Sequence, residues 1–123
     1  PKIYFFDVGL IENNIGAQIE NITALSLLKY CYFENDTFGM NKKLHYIRTK
    51  TQEELDFVIV NNNIETVIEV KNKDSDISKS LIKMHQAYNF PETIQLVNML
   101  KKEYHKDDIK VLNLEKYLKS LKL

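Results

Sequence analysis

The chain has 123 residues and a mass of 14.5 kDa, with 17 Lys and Arg balancing 17 Asp and Glu, 44% hydrophobic residues, 3 Gly and 2 Pro. That composition excludes a disordered or collagen-like chain, and at this length it predicts one domain whose core needs no metal or disulfide staple. No stretch approaches the roughly 18 uninterrupted apolar residues of a membrane span, and the lone cysteine, Cys31, fits a soluble protein in a reducing, cytoplasmic compartment.

The sequence opens on Pro1 rather than Met and carries no secretory signal, which reads as a piece of something longer. Lys2–Leu10 is a short apolar segment that ends in a turn at Gly9. From about Asn14 to Phe33 the spacing is helical. Ile15, Ile19 and Ile22 form one stripe and Ala24, Leu27, Leu28 and Cys31 another, which predicts a helix buried on much of its circumference. Leu44–Thr49 is a short β-type run. Glu54–Val60 and Ile64–Lys71 follow as β-branched, alternating strands separated by asparagines.

The second half returns to helix, capped by Asp76 or Ser78, carrying Leu81, Met84, His85 and Tyr88, and stopped by Pro91. Ile94–Val97 and Ile109–Leu112 read as short strands. Asn113 then stands at an N-cap before Leu114, Tyr117, Leu118 and Leu121. The order of elements predicts an α/β domain with a mixed sheet.

Charge is unevenly spread. Residues 1–70 hold 6 basic and 10 acidic side chains, whereas residues 71–123 hold 11 and 7. Lys101, Lys102, Lys106 and Lys110 are the best candidates for contacts with nucleic-acid phosphates, against the alternative of a solvated loop. Arg48 is the one arginine, which argues against bidentate phosphate clamps.

The most informative segment is Glu53–Val60 followed by Thr66–Lys71. Alternation puts Leu55, Phe57 and Ile59 on one face with Asp56 opposite. On the next strand it puts Ile68 and Val70 on one face, with Glu69 and Lys71 on the other. If the apolar faces coincide, a four-residue loop over Asn61–Ile64 sets 60 against 65 and therefore Asp56 against Glu69. Carboxylates so placed have Cβ atoms about 4.5–5.5 Å apart and repel one another. They need a cation. Lys71 supplies one in a solvated charge triad; alternatively Mg²⁺ sits between them, since it prefers oxygen ligands and is held by one or two carboxylates. Glu20, on the first helix with Ala24, Leu27 and Leu28, would be drawn to this cluster if its helix packs on the same face of the sheet.

Asp56, a hairpin and then Glu69-Val70-Lys71 resemble the PD-(D/E)XK motif of the restriction-endonuclease-like superfamily, with Leu55 where proline often stands. With Lys2–Leu10, Gly16-Ala17 through Leu25, and Tyr46–Thr49, the chain is similar over nearly its whole length to one family in particular. That family is the C-terminal domain of prokaryotic AAA-type ATPases, a domain of unknown function. The resemblance implies a restriction-endonuclease-like core of helix, three-stranded meander, helix and strand, with a mixed sheet flanked by helices. It implies one domain over residues 1–123, in which residues 1–13 connect to an upstream ATPase part. It also implies that Asp56, Glu69 and the Val70 carbonyl hold Mg²⁺, or Mn²⁺ in its place. Lys71 would act on the attacking water, and Glu20 would serve as an outer or second-metal ligand. The implied activity is hydrolysis of nucleic-acid phosphodiester bonds; the alternative is an accessory or nucleic-acid-binding module of the same ATPase.

Two departures stand against the pattern. No GxxxxGK[ST] motif is present, and Gln86 and Tyr88 are two apart rather than the four that some nucleases of the superfamily show. His45, His85 and His105 form no HxH or HExxH pattern, which argues against a zinc site, and His85 reads as a partly buried histidine. Cys31 reads as core, and the Tyr4-Phe5-Phe6 and Tyr30, Tyr32, Phe33 clusters as core packing rather than base-stacking platforms.

Overall fold

The computed structural model describes residues 15–48 and 55–121, with the backbone alone at 48, 55 and 56. The Lys2–Leu10 segment, the connector over residues 1–13 and the edges of the predicted elements at Asn14, Thr49 and Glu54 lie outside the described residues. The elements are α1 (Ile15–Phe38), β1 (Lys42–Arg48), β2 (Leu55–Asn61), β3 (Asn63–Lys71), α2 (Lys79–Tyr88), β4 (Glu92–Val97), β5 (Tyr104–Lys106), β6 (Ile109–Asn113) and α3 (Leu114–Lys119). The six strands form one mixed sheet in the order β1-β2-β3-β4-β6-β5, flanked by helices. The β3–β4 and β4–β6 pairs are parallel and the other three antiparallel.

Alternation along each strand builds two apolar layers. Phe57, Ile68, Ile94 and Leu96 point to one face and pack with Ile19, Leu27 and Cys31 of α1 and Leu114 of α3. Val58, Val67, Val97 and Val111 point to the other and pack with Ile77 and with Leu81 of α2. A wholly buried Leu, Ile or Phe in these layers contributes about 1.5–3 kcal/mol by leaving water.

α1 departs from expectation twice. It buries a single stripe, Ile19, Thr23, Ala24, Leu27 and Cys31, while Ile15 and Ile22 are more than half exposed. It also runs five residues past Phe33, through a polar stretch that breaks the apolar periodicity. Local bonding carries it there. Asn35 brackets the start of β1, its Oδ1 accepting from Lys42 N at 2.7 Å and its Nδ2 donating to Lys42 O at 2.9 Å. Gly39, in the left-handed region at φ 67°, then ends the helix, as C-terminal glycines do.

The hairpin loop is tighter than the four residues expected. Asn61 pairs with Asn63 around Asn62, whose φ is 69°, and a bulge between Ile59 and Val60 takes up Glu65 before regular pairing resumes at Ile59 and Thr66. The two changes cancel, so the body of the ladder keeps the expected register. α2 starts at Ser78, whose Oγ accepts from Leu81 N at 3.4 Å, and ends at Asn89 in the left-handed conformation, two residues before Pro91. Asn113 caps α3 as expected, its Oδ1 accepting from Lys116 N at 3.0 Å. The sequence reading lacks β5. Asp107 and Asp108 both have positive φ, which gives the two-residue hairpin turn that folds this short strand onto β6.

Candidate active site

The β2–β3 register sets Asp56 directly opposite Glu69, and Lys71 follows two residues later, at a position on the same face and at the end of β3. Glu69 is 0% exposed, an unusual place for a carboxylate. Val70 points the other way, into the core beneath α1. β3 and β4 run parallel and end together, and the Lys71 carbonyl accepts from Asn98 N at 2.9 Å just past the end of β4. Glu69 and Lys71 therefore lie at the carboxyl end of a parallel strand, where open α/β sheets bind ligands, and Asp56 stands beside them near the start of antiparallel β2.

The next strand adds a residue that sequence reasoning missed. Gln95 pairs with Glu69 across the β3–β4 ladder and is also 0% exposed. Its Oε1 accepts from Ser78 N at 3.0 Å and its Nε2 donates to Asp76 O at 3.5 Å. A polar residue inside the apolar run Ile94-Gln95-Leu96-Val97, on a strand covered on both faces, was the available signal.

Glu20 lies on α1. α1 covers the face that holds Phe57, Ile68 and Val70, opposite to the face of Glu69, so the condition for drawing Glu20 into the cluster is not met. Ile19 and Ile22 border a groove with Asn98, Leu114 and Leu118, which puts this part of α1 near the same end of the sheet but on its other side. Among the described residues no three His, Cys, Asp or Glu side chains converge to hold a metal.

The four candidate lysines lie around the edge strand β5 and its neighbour β6. Lys101, Lys102 and Lys106 are exposed beside or on the edge strand β5. Lys110 alternates with the inward Ile109 and Val111, so it lies on the α1 side of the sheet, where it pairs with Glu92 at 2.9 Å. His85 is buried, with its Nδ1 2.9 Å from Thr93 Oγ1. A cavity of about 520 Å³ beside it is bordered by Phe90, His105, Asp108 and Lys110, but two of its polar walls are already engaged, His85 on Thr93 and Lys110 on Glu92.

Cys31 is buried, and burial pushes its thiol up to about 11. The aromatic cluster divides: Tyr32 and Phe33 are exposed, whereas Tyr30 is half-buried beneath Lys42. Tyr4, Phe5 and Phe6 lie outside the described residues. Lys42 itself is buried and donates to Tyr30 Oη at 2.8 Å and Glu65 Oε1 at 3.0 Å, with Glu34 Oε1 at 3.4 Å. This second charged cluster ties β1 and the hairpin bulge to α1.

A family model described as a domain of unknown function, DUF4143, matches residues 15–117. No curated protein matches the chain. Among the described residues no helix is long and apolar enough to cross a membrane.

Proposed function

The chain belongs to the DUF4143 family, a domain of unknown function, and we propose that it is a Mg²⁺-dependent phosphodiesterase domain acting on nucleic acid, with its site at Asp56, Glu69 and Lys71. The observation that carries this reading is the register that opposes Asp56 to Glu69 and sets Lys71 on the same face at the strand end. The succession of helix, three-stranded meander, helix and strand supports taking the fold as restriction-endonuclease-like. The donor set of two carboxylates and the Val70 carbonyl is all oxygen, which suits Mg²⁺ or Mn²⁺.

When bound, such a metal supplies a Lewis acid for a phosphoryl oxygen and lowers the pKa of a coordinated water. Asp56 and Glu69 would hold the cation. Lys71, half-buried at the edge of the cluster, orients the attacking water and balances the charge that grows on the phosphoryl oxygens. Glu20, which the resemblance implies as an outer or second-metal ligand, sits on the helix that covers the opposite face. The ATPase part that the resemblance implies would act as the upstream partner, delivering or gating the substrate.

One observation favours a second reading. Glu69 has no exposed surface, and a carboxylate so enclosed also suits a non-catalytic accessory module of the same ATPase, in which the cluster only fixes the hairpin. Cleavage assays on single- and double-stranded DNA and RNA, with Mg²⁺ or Mn²⁺ and beside Lys71→Ala, separate the two. Metal-dependent cleavage that vanishes in a folded Lys71→Ala protein is expected. No cleavage, or equal cleavage by both proteins, favours the accessory module.

A further inference from the structure

Gln95 sits beside Glu69 in the ladder, and its amide is spent entirely on one neighbouring segment. A buried amide must satisfy both its carbonyl and its NH₂. Gln95 does so on the chain that follows Lys71, accepting from Ser78 N at 3.0 Å and donating to Asp76 O at 3.5 Å. That chain leaves the end of β3 through the exposed residues 72–76 and returns over the face that carries Glu69 and Gln95. There Ile77 enters the apolar cluster of Val58, Val67 and Leu81, and Ser78 caps α2.

We propose that Gln95 is a positioning residue that latches residues 72–78 as a strap over the face that carries Glu69, and that opening the strap admits a divalent cation to Glu69. The inference rests on the hairpin reading above. It explains how a carboxylate with no exposed surface can belong to a metal site: the segment that crosses its face is short and exposed over residues 72–76, and its inner end, where Ile77 and Ser78 are buried, is joined to Gln95 by one firm hydrogen bond and one long one. Segments with few buried contacts open first and independently of the core. A cation that binds only the open form has its apparent affinity reduced by the open fraction, so loosening the latch strengthens binding.

Gln95→Met keeps the side-chain bulk and removes both bonds. Hydrogen exchange followed by NMR is expected to show the Ser78 amide exchanging about tenfold faster, with the Val67 and Val111 amides unchanged. Mn²⁺, titrated by electron paramagnetic resonance, is expected to bind several-fold more tightly. A merely structural Gln95 would instead speed exchange across β3 and β6 together and leave Mn²⁺ affinity equal or weaker, and that result overturns the proposal. Should Gln95→Met not fold, native-state exchange of the unaltered protein decides: Ser78 opening well ahead of the β3 amides supports the strap, and Ser78 opening with them overturns it. Failure of the site reading looks different. No Mn²⁺ bound by either protein removes the hairpin site and the gate with it, whereas equal binding with Ser78 released removes the gate alone.

Discussion

Cys31 and Lys42 are close neighbours whose titrations are both pushed upward, for different reasons. Burial raises the Cys31 thiol to about 11, because the thiolate loses water and gains little in return. Burial alone pushes Lys42 down, but its hydrogen bonds to Tyr30 and Glu65 more than reverse this, and its ammonium stays charged above the usual lysine range. Both groups stabilise the fold below their ordinary values and lose that contribution as pH rises, in the order Cys31 first and Lys42 later. Between pH 9 and 11 the unfolded chain releases the Cys31 proton while the folded chain holds it. Unfolding free energy is expected to fall by on the order of 2 kcal/mol across that window. Buried Tyr117, whose pKa is also raised by burial, adds its own loss above 10. Urea titrations at pH 8, 9 and 10 check this, with Cys31→Ala expected to flatten the change between pH 9 and 10. An unchanged slope in that variant would mean that Cys31 does not control it. The same burial makes Cys31 inert to alkylating reagents in the folded protein, which answers to exposure and not only to thiol chemistry.

At the scale of elements, the hairpin turn carries the strain on which the register depends. Asn62 holds φ at 69° between paired Asn61 and Asn63, a conformation asparagine tolerates and β-branched residues resist. Asn62→Val is expected to cost roughly 1–2 kcal/mol, whereas Asn62→Gly should leave the urea midpoint equal or slightly higher. Equal stability of all three proteins would show that the turn adapts and that the apolar faces alone set the register. Those faces are what made the ladder legible. Phe57 and Ile68 had to share a side, so Asp56 and Glu69 fell on one face, and a short connection set them opposite each other. The loop itself was not legible, because the bulge at Glu65 is made by a tight asparagine turn and by the Lys42 contact, neither of which alternation encodes. For the same reason α1 outruns its apolar pattern: Asn35 binds the backbone of Lys42, a contact made only once β1 is in place. β5 escaped because it is three exposed residues closed by Asp107 and Asp108, with no apolar face to mark it. Periodicity reports burial; it is silent wherever a strand or a helix end is fixed by hydrogen bonds instead.

Across the whole molecule, a sheet covered on both faces forces a choice of side on every strand residue, and the position of Glu20 turns on that choice. Its helix lies over Phe57, Ile68 and Val70, so a residue placed by helix periodicity alone could not be assigned to the face of Glu69. Glu69 itself stands near the ends of β3 and β4, beside the Gln95 that binds the segment leading into α2. Two carboxylates opposed across a ladder destabilise the apo fold unless a positive charge lies between them. A cation bound only by the folded chain stabilises it by about 2.7 kcal/mol at a concentration one hundred times its Kd, which raises the Tm of a chain of this length by roughly 10 °C. Mg²⁺ is therefore expected to raise the Tm of the unaltered protein, and EDTA to reverse the rise. Asp56→Asn removes the repulsion and half of the charged ligand pair, so it should melt higher than the unaltered protein without metal and respond little to Mg²⁺. The two responses must move together, because both originate in the same pair of charges. A Tm indifferent to Mg²⁺ in the unaltered protein, joined to a lower Tm in Asp56→Asn, would mean that the pair is already balanced from within the chain, with Lys71 as the cation. The hairpin would then be a structural ion cluster, and the accessory-module reading would take the place of the enzyme.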